Sequence, residues 1–122
     1  EVLLTIPPKL TIIMVIMRRR KFYILYDEEV KEHLATIERK YYSLIKSTVE
    51  QQLTHQPDVE TRNRKPLERS SALGEAWELR FGPNNRLRVF YKINPEASQV
   101  LVLAIGLKEG SQLKIGGKEF QL

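Results

Sequence analysis

The chain has 122 residues, with 20 Lys+Arg against 15 Asp+Glu, two His and no Cys. A chain of this length forms one core and buries about two-thirds of its extended surface, and a composition of 42% hydrophobic and 29% charged residues excludes a disordered or collagen-like polymer. The absence of Cys excludes a disulfide scaffold, a thiol nucleophile and thiolate zinc ligation, and fits a reducing compartment.

Residues 2–16 are apolar, but Pro7, Pro8 and Lys9 break the run, which is too short for a membrane span. The basic group Arg18, Arg19, Arg20 and Lys21 follows this run, whereas a secretory signal places its charge first. Residues 1–17 are therefore read as an added N-terminal segment, either an extra strand or translated upstream sequence. Residues 18–122 are read as one domain.

Residues 22–26 (FYILY) are aromatic and β-branched and predict a strand. Asp27 then caps a helix whose first turn holds Glu28 and Glu29, where the helix dipole favours acids. Apolar positions at Val30, Leu34, Ile37, Tyr41, Leu44, Ile45, Val49 and Leu53 keep helical spacing. They predict one long helix, or a helical hairpin broken near Thr36. Residues 22–60 hold eight acids against four bases, a net charge of −4.

Residues 58–74 are polar, contain Pro66 and Gly74, and read as a loop. Residues 75–81 and 86–93 each alternate apolar and polar positions, so each predicts a half-buried strand. Gly82, Pro83, Asn84 and Asn85 form the turn between them. Residues 100–105 are apolar throughout, as in a central strand covered on both faces, and Gly106 is read as its end. The Gly-rich tail has room for one short edge strand. Residues 61–92 hold eight bases, six of them Arg, against three acids. The expected class is α+β: an N-terminal strand, a helix or helical hairpin, then a three- to four-stranded antiparallel sheet. Helices on one face would leave Glu78, Arg80, Arg86 and Arg88 on the other.

Metal ligation finds no pattern here, because His33 and His55 lie far apart and lack HxxxH or HxE spacing. His33 is read as a solvated helix residue. Gly116, Gly117 and Lys118 lack the spacing of a phosphate-binding loop, and no GxSxG elbow occurs. Cationic chemistry remains. The planar Arg fork can bond two phosphate oxygens at once, so the groups suited to work at a phosphodiester are Glu78, Arg80, Arg88, Lys108 and Tyr91.

One ordered set of motifs runs from the loop to the last strand: Lys65-Pro66-Leu67, Leu73-Gly74, Trp77-Glu78-Leu79-Arg80, Arg88-Val89-Phe90-Tyr91 and Ala104-Ile105-Gly106-Leu107-Lys108. In this order, and after a strand–helix start, the chain resembles the RelE/ParE superfamily of toxins from bacterial type II toxin–antitoxin modules. The resemblance covers about residues 21–110. It implies a cytoplasmic protein with a cognate antitoxin, forming a toxin–antitoxin hetero-oligomer, with no cofactor, metal or membrane partner.

The family divides. RelE-like members cut mRNA in the ribosomal decoding site, and this branch is the favoured expectation. ParE-like members poison DNA gyrase without nuclease activity, and a decayed binding module is the remaining alternative. In the RelE-like branch the Arg opening the R-V-x-Y strand contacts the scissile phosphate, which implies Arg88. A basic residue after the strand-ending Gly is also functional, and Lys108 is the nearest match because Leu107 follows Gly106. Two lysines used by some members correspond here to Ala76 and Glu78, and a C-terminal Tyr has no counterpart. Some relatives use a Glu as general base, a role that would fall to Glu78. The expected catalytic set is thus Arg88, Arg80, Glu78 and Lys108, with Arg62, Arg64, Lys65, Arg86 and Lys114 holding RNA.

Overall fold

The computed structural model describes residues 20–122; the N-terminal segment read above as residues 1–17 lies outside them. Strand β1 is Tyr23–Tyr26 and helix α1 is Val30–Ala35. Before α1, the Asp27 carboxylate accepts the Glu29 N–H at 3.0 Å and shapes the entry turn. The chain leaves the helix at Thr36, whose N–H bonds the His33 carbonyl. A single 3-10 turn, Arg39–Tyr41, leads into α2, Tyr42–Leu53. The Tyr42 hydroxyl donates to the Leu34 carbonyl at 2.6 Å and ties the two helices together. Ile45, Val49 and Leu53, four residues apart, form the buried stripe of α2.

The sheet follows: β2 Arg64–Pro66, β3 Trp77–Phe81, β4 Leu87–Asn94, β5 Gln99–Glu109, β6 Gln112–Ile115 and β7 Lys118–Glu119. These six pair antiparallel in sequence order, and β1 joins β5 in parallel. The fold is α+β as expected, but among the described residues six strands follow the helices where three or four were expected, and with β1 the sheet has seven. The additions are short. β2 is three residues of what read as a loop, ending on Pro66 at the sheet edge, where a missing N–H is tolerated. β6 and β7 come from the tail, where one strand was expected. Strand β5 also runs through Gly106 to Glu109 and does not stop there.

Gly106 marks a close approach. A Cβ at this position would lie 2.6 Å from the Lys114 carbonyl oxygen and 2.9 Å from the Ile115 side chain, so only Gly lets β6 lie this close.

The main core lies between the helices and one sheet face, where Phe22, Val30, Ile45, Val49 and Leu53 meet Leu79, Val89, Tyr91, Val100 and Val102. A bulge lets β5 supply residues of both parities. Phe90 pairs with Ala104 but Tyr91 pairs with Val102, so Leu103 is left over. The extra residue resets the alternation, and both Val102 and Ile105 reach the same core. On the other face Phe90, Ala104 and Leu113 form a second, smaller cluster, joined by Leu67 and Phe120. That face is therefore partly roofed by the C-terminal hairpin.

Since β4 takes one edge of β5, β1 and β6 share the other, along residues 99–102 and 106–109. The interval between them is filled by His33, whose Nδ1 accepts the Ile105 N–H at 3.3 Å. His33 is buried, which corrects its reading as a solvated residue: the sheet edge needs an acceptor where neither strand reaches. His33→Ala leaves that amide without a partner and is expected to cost about 1–3 kcal/mol. An unchanged denaturant midpoint would contradict this role.

Tyr91 stacks on its cross-strand neighbour Trp77 at 6.2 Å, and its hydroxyl donates to the Pro57 carbonyl at 2.6 Å. Burial pushes the phenol far above its ordinary value, Asp58 adds to the rise, and nearby Arg64 opposes it. A raised folded-state value gives stability that is complete below the unfolded pKa, about 10. That stability is lost as pH climbs from there towards the folded value. Wild-type stability should accordingly fall more steeply than that of Tyr91→Phe between pH 9 and 11.5, as read by denaturant midpoints. Parallel slopes would show that Tyr91 carries no linkage.

Candidate active site

Strands β3, β4 and β5 bring the site residues together through their register. Arg80 stands directly opposite Arg88, and Arg88 stands opposite Gly106. Opposed residues share a face, and so do residues two apart, so Glu78, Arg80, Arg88 and Lys108 all rise from the face away from the helices. Two like charges directly opposed repel. Glu78 offsets this: its Oε1 accepts from Arg80 Nε at 2.6 Å and its Oε2 from Arg88 Nη1 at 3.3 Å. The side chains of Glu78 and Arg88 are only 5% and 11% exposed, against 41% for Arg80. Arg88 is thus a fixed group and Arg80 its more mobile neighbour.

A second contact fixes Arg88. Its Nε donates to the Asn85 carbonyl at 2.8 Å. Asn84 and Asn85 both lie in the left-handed region, at φ 54° and 53°, conformations that Asn tolerates better than most side chains. The tight turn between β3 and β4 therefore aims a carbonyl back at the first Arg of β4. Asn85 was not among the residues expected at the site, because a backbone acceptor leaves no mark in side-chain chemistry.

Glu78, Arg80, Arg88 and Lys108 line one hollow of about 380 Å³, with Leu67, Leu113 and Phe120 as its apolar walls. A second hollow of about 620 Å³ adjoins it and shares Arg88 and Lys108, adding Asn84, Arg86 and Glu109. Arg86 sits at the rim of this second hollow, 3.7 Å from Glu109. Lys114, also held by Glu109 at 3.4 Å, pairs with Leu107 and so belongs to the helix-side face, which corrects its expected place among the RNA contacts. Of the charged side chains lining the first hollow, Arg80, Arg88 and Lys108 outnumber Glu78 and Glu119 by one. A concave, partly apolar, positively charged hollow of this size fits a phosphodiester and an adjoining base.

The other expected residues divide by strand parity. Lys65 is exposed and pairs with Glu78, so it stands on the site face. Arg62 is exposed beside a separate hollow that it shares with Arg80. Arg64 pairs with Leu79 and points to the helix side. It is buried, and donates from Nε to the Val59 carbonyl at 2.8 Å and from Nη1 to the Gln52 carbonyl at 2.5 Å. Its expected place on an RNA-binding surface is therefore corrected, since its guanidinium ties the end of α2 to β2. Tyr91 is corrected in the same way, because it faces the helical core and not the hollow.

No family model matches the sequence, and no curated protein matches it. Solved structures do match in fold. One is a chain of the RelBE2 toxin–antitoxin complex from Mycobacterium tuberculosis, with a TM-score of 0.61 over 74% of this chain and 94% of that one, at 19% identity. The α+β arrangement described above is thus that of a protein found in a toxin–antitoxin complex. Among the described residues no helix is long and apolar enough to cross a membrane.

Proposed function

We propose that this protein is the toxin of a type II toxin–antitoxin module and that it cuts mRNA on the ribosome. One observation carries the reading: Arg80, Arg88 and Lys108 converge on a single hollow, with Arg88 fixed by both Glu78 and the Asn85 carbonyl. The fold shared with a chain of a toxin–antitoxin complex supports an antitoxin as partner.

In the proposed reaction the RNA 2′-oxygen attacks the adjacent phosphorus and loses its proton. The bond to the 5′-oxygen breaks, and that oxygen gains a proton. The products are a 2′,3′-cyclic phosphate and a 5′-hydroxyl. Negative charge builds on the non-bridging oxygens, where guanidinium groups stabilise it by a few kcal/mol per donor. Arg88 takes the scissile phosphate and Arg80 joins it by turning from Glu78. Lys108 and Lys65 hold the flanking backbone, with Arg62 and Arg86 further out. Glu78 serves best as a positioning residue, because each of its oxygens already accepts from a guanidinium.

That same placement of Glu78 favours a second reading, in which the hollow binds a partner without cleaving RNA and the protein poisons gyrase. Induction in cells followed by primer extension separates the two. Codon-phased cuts in mRNA are expected. Intact mRNA with chromosomal breaks would replace this reading with gyrase poisoning, and normal growth with soluble protein would replace it with an inactive binding module.

A further inference from the structure

The second hollow beside Arg88 has a chemistry of its own. Asn84, Arg86, Arg88, Lys108, Glu109 and Gly110 line it without one apolar side chain, whereas Leu67, Leu113 and Phe120 wall the first. Three cations face one acid, and that acid is engaged. Glu109 lies 3.7 Å from Arg86 and 3.4 Å from Lys114. Lys108 forms no ion pair among the described residues.

Arg88 and Lys108 stand between the two hollows, since both line each of them. The Arg88 Nε and Nη1 are taken by Asn85 and Glu78, and its Nη2 carries no hydrogen bond among the described residues. The Lys108 N–H donates to the Arg86 carbonyl at 2.8 Å, which fixes the end of β5 against the turn before β4. The three cations are thereby anchored at one end of the sheet. Asn84, at φ 54° in that turn, adds a side-chain amide. Cations and an amide without apolar walls can bond a phosphate but give a base nothing to stack on.

We propose that this second hollow is a phosphate subsite, which holds the phosphate next to the scissile one, on one side of the cut, through Arg86, Lys108 and the Asn84 amide. The inference rests on the reading that the chain cuts RNA. The strand then crosses Arg88, with a base against the apolar walls of the first hollow and a backbone phosphate alone in the second. Arg86 is on this account a contact to one defined linkage and not a diffuse attraction along the RNA.

Synthetic mRNA with one uncharged methylphosphonate linkage, set next to the cut on its 5′ or its 3′ side, tests this on programmed ribosomes with the full chain. On one side the substitution should slow single-turnover cutting roughly tenfold, the size of one lost charged hydrogen bond. Arg86→Gln should slow the cutting of unmodified mRNA by a similar factor. It should show no further loss on the sensitive linkage, because both changes remove the same contact. This variant should melt like wild type, because the Arg86 side chain is 45% exposed and Glu109 keeps Lys114. Asn84→Asp retains a residue suited to the left-handed turn and adds an anion, and it should slow cutting as well. Indifference to the methylphosphonate on both sides, or losses from Arg86→Gln and from the modified linkage that multiply, would overturn the subsite and leave the cutting reaction in place. Unmodified mRNA left whole by the wild-type protein would overturn both.

Discussion

Arg88→Ala is expected to abolish growth arrest and to slow ribosome-dependent mRNA cleavage roughly 100- to 1,000-fold, the usual cost of removing one donor to a developing oxyanion. The substituted protein should still fold. Glu78 keeps its 2.6 Å partner Arg80, so the buried carboxylate is not left alone. Arg88→Lys should fail nearly as badly. A point charge cannot bond the Asn85 carbonyl, Glu78 and a phosphate in one plane, as the guanidinium can. Single-turnover cleavage of mRNA on programmed ribosomes reads both variants. Lysine rescue to near wild-type rate would show that charge alone suffices and that the planar arrangement is incidental.

Arg64→Ala should behave in the opposite way, with a large loss of stability and no specific loss of chemistry. Its guanidinium donates to carbonyls at the end of α2 and in the following loop, and it is buried. Removing a buried charged donor from two backbone acceptors costs on the order of 3 kcal/mol. For a domain of this size that lowers the melting temperature by on the order of 10 °C. At a temperature where the variant remains folded, its cleavage rate should match wild type. Arg62→Ala, two residues earlier and exposed, should leave the melting temperature unchanged. If Arg64→Ala melts like wild type yet binds RNA poorly, the buried role is wrong.

The contrast between Arg62, Arg64 and Lys65 shows where the sequence was legible. Alternation is readable only when a strand is recognised. β3 and β4 have enough residues to show it, and their faces came out as read. β2 has three residues, two charged and one Pro, and is a strand only because β3 supplies a partner. Without that pairing the parity that buries Arg64 and exposes Lys65 cannot be assigned. Gly106 reads as a terminator in the sequence because Gly commonly ends strands, whereas its reason is the carbonyl of Lys114 on the neighbouring strand.

The site divides along the same line. Arg80, Arg88 and Lys108 were legible from residue type and from the motif order that resembles a known family, and the structure gathers them in one hollow. The placement of Glu78 between two guanidinium groups was not legible, because it depends on cross-strand register. His33 was misread for a similar reason. Its acceptor role exists only because two strands share one edge of β5 and leave an amide between them.

The most direct measurement is made on purified protein with mRNA-programmed ribosomes, by mapping the ends of any product. Arg88-dependent cuts leaving a 2′,3′-cyclic phosphate and a 5′-hydroxyl are predicted. Uncut mRNA from soluble, folded protein that still arrests growth would contradict the account.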